Sequence, residues 1–282
     1  MTYALELKNV SKQYENFALQ NISLVLPRGC IMGMIGENGA GKSTTIKLLL
    51  DLIKRDGGEI EVLGVPAETF SAERNAAIGV VMDECSIPDM FHVKQVDAVM
   101  RDIYANWDSE TFYQLISRFG LPLKSKIKTY SRGMKMKLSI AVALSHNAQL
   151  LILDEATSGL DPVVRDDVTD LLLDFTRDEG HSILLSSHIV SDLEKVCDYI
   201  AFLHKGKLML MEEKDALTNE YGLLQCSLTE AAQIDPAAVI GRRDTPYGCR
   251  LIVRRDAVPA GTALGSVSIE ELFIFMVKEE QA

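Results

Sequence analysis

One run of nine residues near the beginning of the chain restricts the fold more than any other feature of the sequence. It fits the pattern G-x-x-x-x-G-K-[ST] and reads Gly36-Glu37-Asn38-Gly39-Ala40-Gly41-Lys42-Ser43-Thr44. The apolar segment before it, residues 31–35, predicts a buried strand, and the segment from Thr44 onward has the pattern of a helix. The run therefore lies at a strand-to-helix turn, which is the context that this pattern requires.

The chemistry of phosphate binding explains the spacing within the run. Glycines adopt backbone angles closed to other residues, so that successive N–H groups can surround a β-phosphate at the positive end of the following helix. Lys42 adds a charge toward the β- and γ-phosphates, and the Ser43 hydroxyl can coordinate Mg²⁺. A glycine-rich turn without a ligand is the alternative interpretation, but the flanking strand and helix favour a nucleotide site.

A second motif, which contains two acidic residues, supports this interpretation. Residues 150–153 are apolar and predict a buried strand, and Asp154 and Glu155 follow directly. In-line phosphoryl transfer needs one group that positions the metal ion and one that activates the attacking water. We assign the first role to Asp154 and the second to Glu155.

Composition excludes several classes of protein. A net charge of −11 and a pI near 5.0 argue against a primary nucleic-acid binder. The five cysteines are scattered without C-x-x-C spacing, which indicates reduced thiols rather than a disulfide framework or a zinc site. Because no apolar stretch approaches about 20 residues and the N-terminus lacks a signal-peptide pattern, we expect a cytoplasmic chain that does not cross a membrane.

The 282 residues suffice for one large domain and a small one. Short β-rich runs come first and helical periodicity prevails from about residue 91 to 146, after which buried strands and helices alternate, as in a parallel sheet covered on both faces. The predicted strands are 4–10, 22–26, 31–35, 59–63, 78–82, 150–153, 182–186, 199–203 and 207–211. Helices are predicted at 162–177 and 189–196. Beyond a boundary near 214, we expect strands at 224–228 and 250–254 and a helix at 269–278.

The sequence between these two motifs carries a resemblance to a known family. Ser131-Arg132-Gly133-Met134 opens a predicted helix that runs to Leu144, with Ser131 as a plausible N-cap and the Gly133 N–H available to an anion. With the glycine-rich run before it and the acidic strand after it, the chain resembles the nucleotide-binding subunit of an ABC transporter over residues 2–211. A Ser-x-Gly sequence by itself is more often only a helix cap.

The resemblance implies a fold of the α/β class, the P-loop NTPase fold of ABC ATPases. Its parts are a β-rich lobe, a RecA-like core with a parallel sheet, and an inserted helical subdomain at about 84–147. The ATPase domain then covers residues 1–214, and a small α+β accessory domain covers 215–282.

The resemblance also implies roles for single residues. Two subunits pack head to tail in this family, so that the signature residues Ser131–Met134 cap the nucleotide of the partner subunit. Asp161 is then expected in the loop that crosses this interface, His188 at the γ-phosphate, and Tyr14 against the adenine ring. The alternatives are an incidental histidine and a tyrosine of the core or surface.

The chain departs from the family pattern at several positions. Asp83 stands where the family usually has Gln, and we expect it to bind Mg²⁺ with Ser43 and Asp154 and to make ATP-driven closure more dependent on Mg²⁺. An exposed acid in a mobile loop is the alternative. Arg132 replaces a common Gly, and Met134 a common Gln; Arg132 either is solvated or adds positive charge toward the partner's nucleotide.

The resemblance implies an ATP-binding and ATP-hydrolysing subunit of a multi-subunit ABC transporter, with ATP and Mg²⁺ as cofactors. Its expected partners are separate integral membrane permease chains and a second ABC ATPase subunit, identical or related, but no nucleic acid. We expect the chain at the inner face of the cell membrane, with residues 85–107 against the permease and an exporter of the drug, lipid or peptide-antibiotic type. A soluble ABC ATPase with a non-membrane partner and a small-molecule kinase are the alternatives.

Overall fold

The structure is a computed structural model that describes residues 3–246, 248–259 and 261–279. The chain divides into two compact units, residues 1–211 and 212–282. The strands are β1 (Tyr3–Gln13), β2 (Ala18–Pro27), β3 (Ile31–Ile35), β4 (Gly57–Val62), β5 (Val65–Pro66), β6 (Ile78–Val81), β7 (Leu150–Asp154), β8 (Ser182–Ser187), β9 (Tyr199–His204), β10 (Lys207–Glu213), β11 (Tyr221–Cys226), β12 (Val239–Thr245) and β13 (Gly248–Arg254).

The α-helices follow the first three strands in the chain. They are α1 (Lys42–Leu49), α2 (Ala72–Ala76), α3 (Val93–Ile103), α4 (Ser109–Arg118), α5 (Arg132–Leu144), α6 (Pro162–Phe175), α7 (Val190–Val196), α8 (Lys214–Glu220), α9 (Leu228–Ala231) and α10 (Ile269–Glu279). Among the described residues, no helix has the length and apolar character needed to cross a bilayer.

A six-stranded sheet forms the centre of the first unit, in the order β10-β9-β3-β8-β7-β6. The neighbours from β6 to β9 pair in parallel. Every residue of β3 and β7 is buried, which explains why β3 and the first four residues of β7 are continuously apolar in sequence. The carboxyl ends of β3, β7 and β8 meet at one edge, since Ile35 pairs with Ser187 and Asp154 with Ser186.

Two further layers complete the first unit. An antiparallel sheet in the order β2-β1-β4-β5 is the predicted β-rich lobe. Helices α3, α4 and α5 lie between β6 and β7 in the chain and form the predicted insertion. Asp97 of α3 is buried there and accepts hydrogen bonds from Trp107 Nε1 at 2.9 Å and Ser109 Oγ at 2.6 Å, which ties α3 to the start of α4.

The second unit contains an antiparallel sheet in the order β11-β13-β12. The apolar residues of its central strand, among them Leu251 and Val253, form a buried cluster with Leu224 of β11. Cys226 and Cys249 lie directly opposite each other across β11 and β13.

The second unit contains elements that the sequence did not predict. The strand predicted at 224–228 instead ends at Cys226, because the Ser227 side chain caps α9 and Leu228 begins that helix. Strand β12 was not predicted, and neither were the short helices α8 and α9. The unit begins at residue 212, a few residues before the domain boundary predicted at 214.

Candidate functional site

The glycine-rich run connects β3 to α1 at the carboxyl edge of the central sheet. Gly39 and Gly41 have φ angles of +84° and +114°, in the left-handed region that other residues rarely adopt. A Cβ on Gly36 would lie 2.6 Å from the Leu203 carbonyl oxygen, and one on Gly41 would lie 2.8 Å from Leu19 Cδ1. Backbone angle and close packing together therefore explain why glycine occupies these positions.

Lys42 is the first residue of α1 and only 5% exposed. Its Nζ donates to the carbonyl oxygens of Gly36 at 2.6 Å and Glu37 at 3.3 Å, and lies 3.3 Å from Glu155 Oε1. The ammonium group is thus held at the mouth of the run, at the positive end of a helix. A phosphate oxygen can replace the carboxylate in this set of contacts without moving the lysine far.

The acidic pair lies at the end of β7, as the sequence predicted. Asp154 is 2% exposed, and Ser186 Oγ donates a hydrogen bond to its Oδ1 at 2.5 Å. Glu155 has a φ of +53°, a conformation that costs a non-glycine residue about 1–2 kcal/mol. Its N–H donates to the Ser186 carbonyl oxygen at 3.1 Å, which holds the backbone in this conformation. The sequence analysis assigned no role to Ser186.

The two carboxylate oxygens of Glu155 contact different basic groups. Oε2 lies 2.6 Å from His188 Nδ1, and Oε1 is the oxygen near Lys42. His188 follows β8 directly and is about half exposed. Protonated Nδ1 donates to Oε2, and the carboxylate is thereby oriented without being shielded from the cavity in front of it.

A cavity of about 490 Å³ opens in front of these groups, and we call it the P-loop cavity. Its lining includes Lys42, Ser43, Thr44, Asp83, Glu155 and Phe17. Tyr14, which we predicted against adenine, is not part of the lining. Its ring is 41% exposed and lies 6.3 Å from the ring of Phe17. The aromatic residue in this lining is Phe17, to which the sequence analysis assigned no role, and the contact of Tyr14 with adenine stays a prediction.

The predicted magnesium ligands Ser43, Asp83 and Asp154 all carry side-chain oxygen atoms. Ser43 is exposed, Asp83 and Ser43 line the cavity, and Asp154 is the buried carboxylate next to Glu155. Hydroxyl and carboxylate oxygens are the donors that Mg²⁺ prefers, so the residues present fit this ion. The residues described contain no cluster of three or more His, Cys, Asp or Glu that could hold a metal ion. Phosphate oxygens of a nucleotide would therefore have to complete the coordination of Mg²⁺.

The predicted signature residues begin α5 in the manner that the sequence indicated. Ser131 is the N-cap, and its Oγ accepts a hydrogen bond from the Met134 N–H at 3.2 Å. A Cβ on Gly133 would lie 3.4 Å from the Gly159 carbonyl oxygen, so the start of α5 packs beside the loop 158–161. Ser131 is exposed and is not part of the P-loop cavity lining.

Asp161 ends the loop 158–161 and caps α6, since its carboxylate accepts from the Val164 N–H at 3.1 Å. Pro162 follows at the first position of the helix, where a missing N–H costs nothing. Asp161 is exposed, so the loop presents this residue at the surface.

Asp83 makes a contact that the sequence analysis did not foresee. Its carboxylate pairs with the Arg132 guanidinium of α5, 49 residues later in the chain. Asp83 also lies in the wall of a second cavity of about 610 Å³, formed by the loop after β6 and by one side of α5. We call this second cavity the helix groove; Asp83 borders both cavities.

The assembled groups can bind a nucleoside triphosphate and hydrolyse it. Backbone N–H groups at the start of α1 and Lys42 can bind phosphates, hydroxyl and carboxylate oxygens can hold Mg²⁺, and the Glu155 carboxylate can accept a proton from water. Ser131 and Gly133 lie outside the lining of the P-loop cavity.

Comparison with known proteins agrees with this geometry. A family model described as "ABC transporter" matches residues 19–158. The uncharacterized ABC transporter ATP-binding protein YhcH of Bacillus subtilis is 30% identical over 292 aligned residues, covering 99% of this chain and 92% of that protein. The chain belongs to the family of ABC transporter ATP-binding proteins.

Other members of the family extend the comparison. The lantibiotic transport ATP-binding protein SrtF of Streptococcus pyogenes is 34% identical over 218 residues, covering 76% of this chain and 93% of that protein. A solved ATP-binding subunit of an ABC transporter superposes with a TM-score of 0.69 at 27% identity, covering 77% of this chain and 92% of that one. The ATP-binding cassette MJ0796, solved as a post-hydrolysis dimer with ADP and Pi, has a TM-score of 0.66 at 21% identity over 74% and 98% of the two chains.

These findings confirm the ABC ATPase fold and the ATPase activity predicted from the sequence. This ABC protein is an ATP-binding subunit of a transporter that hydrolyses ATP. The roles of its individual residues are proposals and are developed below.

Proposed function

We propose that this chain is the ATPase subunit of a multi-subunit ABC exporter, in which two ABC subunits close over Mg²⁺-bound ATP and drive separate permease chains at the inner face of the cell membrane. The contact of Glu155 with both Lys42 and His188 carries this proposal, because it joins a phosphate-binding cation, a base and its orienting histidine at one sheet edge. The other observations extend the proposal from hydrolysis to assembly.

Hydrolysis begins with the release of Glu155. When ATP phosphates occupy the P-loop cavity, Lys42 turns its charge to them and the Glu155 carboxylate loses one of its two partners. His188 still holds Oε2, so that Oε1 faces the attacking water and accepts its proton. Ser43 and Asp154 would hold Mg²⁺, which would supply charge neutralisation at the phosphate oxygens.

Dimer formation explains the exposed signature residues. The N-terminus of α5, with Ser131 and Gly133, is an anion site of the kind that helix termini provide. In the proposed dimer it caps the ATP of the partner, and Asp161 lies in the loop between the subunits. ATP then serves as part of the interface, and its hydrolysis opens the dimer.

The helix groove supports docking of a permease. It is lined by Met82, Cys85, Ile87 and Met136 together with charged side chains, and Met90 and Ile103 nearby in the sequence are 58% and 61% exposed. Within residues 85–107, the stretch predicted to contact the permease, Tyr104 is stacked on His146 with ring centroids 4.0 Å apart, and Phe91 and Met100 are half-buried. Met90 and Ile103 are therefore the proposed anchors.

The names of relatives support the class of transported compound. SrtF is a lantibiotic transport ATP-binding protein, and the bacitracin transport ATP-binding protein BcrA of Bacillus licheniformis is 30% identical over 215 residues. Export of a peptide antibiotic or a similar amphipathic compound is therefore the proposed task.

Replacing Glu155 by Gln tests the catalytic assignment. The variant keeps the shape of the side chain but cannot accept a proton, so we expect ATP hydrolysis to fall by about 10²- to 10⁴-fold. ATP binding should persist, and the protein should elute as a dimer from a sizing column in ATP and Mg²⁺.

Glu73→Gln is the matched control, because Glu73 is an exposed carboxylate in α2. It should hydrolyse ATP like the wild type and elute as a monomer once the ATP is consumed. Full hydrolysis by Glu155→Gln would contradict the assignment of the base. A monomeric profile for this variant with bound ATP would contradict the homodimer.

A further inference from the structure

Asp83 is the residue that connects the P-loop cavity to the helix groove. It follows β6 in the loop 82–85, and its side chain is about half exposed. It belongs to the walls of both cavities, so that a ligand in either one meets the same carboxylate. A change in the partner of Asp83 therefore alters the charge on the walls of both cavities.

Arg132 is its partner in the structure. Arg132 is the first residue of α5. The Cδ of its side chain lies 3.9 Å from the position that a Cβ on Gly159 would take. The side chain thus runs past the loop 158–161 before it reaches Asp83. Both side chains are largely solvated, with exposed fractions of 61% and 50%. An ion pair this exposed is weak and can exchange its partner.

The charges on the P-loop cavity wall give Asp83 a second possible partner. The ionised residues of this wall are three carboxylates, Glu37, Asp83 and Glu155, and one cation, Lys42. A triphosphate that enters without a metal ion brings more negative charge to a wall that is already acidic. A divalent cation changes the sign of this interaction, because it attracts Asp83 as well as the phosphates.

We propose that Asp83 is an exchangeable positioning residue, which pairs with Arg132 in the nucleotide-free protein and leaves it for the magnesium ion when Mg²⁺-bound ATP occupies the P-loop cavity. The proposal rests on the proposed function, since it concerns the same nucleotide site. The exchange frees Arg132 at the start of α5 and withdraws one carboxylate from the wall of the helix groove. Nucleotide occupancy is thereby signalled to both surfaces through a single side chain.

Arg132→Gln separates this exchange from a purely structural contact. Without Arg132, Asp83 no longer has a competing partner, so binding of Mg²⁺-bound ATP should become tighter. ATP in EDTA should bind more weakly, because the charge of Asp83 is no longer offset. From the strength of exposed ion pairs, we expect each change to be about two- to fivefold and the two to have opposite signs.

Asp83→Asn should change binding in the reverse sense. The asparagine carries no charge, so ATP in EDTA binds more tightly, and its neutral oxygen is a poorer ligand, so Mg²⁺-bound ATP binds more weakly. Adding Arg132→Gln to Asp83→Asn should then change neither affinity further. Affinities are measured on the full chain with a fluorescent, non-hydrolysable ATP analogue, in Mg²⁺ and in EDTA at low ionic strength.

Lys135→Gln is the matched control. Lys135 lies one turn further along α5 and pairs with Asp89 at 2.5 Å, and both line the helix groove but not the P-loop cavity. This variant should leave the ratio of the two affinities at the wild-type value. The Tm of each variant without nucleotide shows whether it is folded.

Two failures are distinguishable in this design. Binding of the analogue by the wild type supports the proposed nucleotide site. If Arg132→Gln then shifts both affinities in the same direction, or behaves like Lys135→Gln, the proposed exchange is wrong. If the wild type binds the analogue neither in Mg²⁺ nor in EDTA, the proposed function is wrong and the exchange falls with it.

Discussion

At the scale of single residues, Ser186 shows how the acidic pair is supported from the neighbouring strand. Its hydroxyl donates to Asp154, and its carbonyl oxygen accepts from the Glu155 N–H. One residue of β8 thus fixes both the proposed metal ligand and the backbone of the proposed base. Side chains that orient ligands in this way affect metal affinity and activity even though they do not touch the substrate.

Ser186→Ala should therefore lower ATP hydrolysis by about 10- to 100-fold. The Asp154 carboxylate loses its hydrogen bond, so we also expect a higher Mg²⁺ concentration at half-maximal activity. A titration of ATPase activity with Mg²⁺ measures both effects.

Ser187→Ala provides the comparison for this variant. Ser187 is equally buried, but its Oγ accepts from the Ile189 N–H at 3.0 Å, at the start of α7. Its removal should leave the Mg²⁺ dependence at the wild-type value. An unchanged Mg²⁺ dependence in Ser186→Ala would show that Asp154 does not need this support.

The sequence predicted most of the nucleotide site because its residues lie at the ends of strands. Asp154 follows a continuously apolar segment and His188 follows a strand with an apolar centre, and parallel strands bring their carboxyl ends to one edge. The sequence could not predict contacts that depend on the register between strands or on side-chain rotamers. The bonds from Ser186 to Asp154 and from Arg132 to Asp83 are of this kind, since 32 and 49 residues separate their members.

At the scale of elements, His146 joins the helical insertion to the end of α2, just before β6. It follows α5, stacks on Tyr104 beyond the end of α3, and its Nδ1 lies 3.2 Å from the Ala76 carbonyl oxygen. Burial lowers the pKa of His146 below its usual value of 6.5. The folded protein thus keeps this ring neutral at a pH where the unfolded chain protonates it.

The stability of the fold should therefore depend on pH through this residue. The contribution is fully present above pH 6.5, and it is lost as the pH falls from there toward the lowered pKa, because only the unfolded chain takes up the proton in that window. His146→Gln should lose less of its free energy of unfolding between pH 7.5 and 5.5 than the wild type. Urea unfolding at the two pH values measures this.

Replacing His146 also removes packing against Tyr104, but this loss lowers the free energy of unfolding at both pH values. Comparing each protein with itself at pH 7.5 therefore removes the packing effect. If the wild type and His146→Gln lost equal free energies of unfolding between the two pH values, this histidine would have no part in acid sensitivity.

Element prediction succeeded where burial on two faces made strands apolar, as in β3 and β7. It failed for β12, in which Val239 and Ile240 are followed by a glycine and three charged residues. The glycine has a tertiary reason that no local pattern reveals: a Cβ on Gly241 would lie 2.8 Å from Phe275 Cβ of α10.

At the scale of the whole molecule, the chain combines an ATPase unit with a second unit for which we assign no ligand. The second unit has its own sheet and buried cluster, and burial raises the pKa of its Cys249 thiol to about 11. That thiol therefore stays protonated at neutral pH. The ATPase unit carries the exposed apolar side chains Met90 and Ile103, which are the proposed anchors for a membrane partner.

We expect the tagged full chain to capture an integral membrane protein from a detergent extract of the cells in which it occurs. Met90→Asp and Ile103→Asp together should reduce this capture by about tenfold or more, because charges would replace two apolar contacts. Mass spectrometry of the captured proteins identifies the partner.

Phe70→Asp is the control for surface charge, since Phe70 is 83% exposed and lies outside the helical insertion. It should capture the membrane protein like the wild type. Capture of only soluble proteins by the wild type would instead favour an ABC ATPase without a membrane partner.

The strand order of the central sheet also has a consequence for synthesis on the ribosome. Strand β3 lies between β8 and β9, and its residue Ile31 pairs with Ile183, about 150 positions later. At about 5–20 residues per second, translation of that interval takes roughly 8–30 s. Throughout this time the nascent chain exposes a fully apolar strand whose neighbours have not yet been made, so the strand that leads into the nucleotide site is also a segment that chaperones must shield.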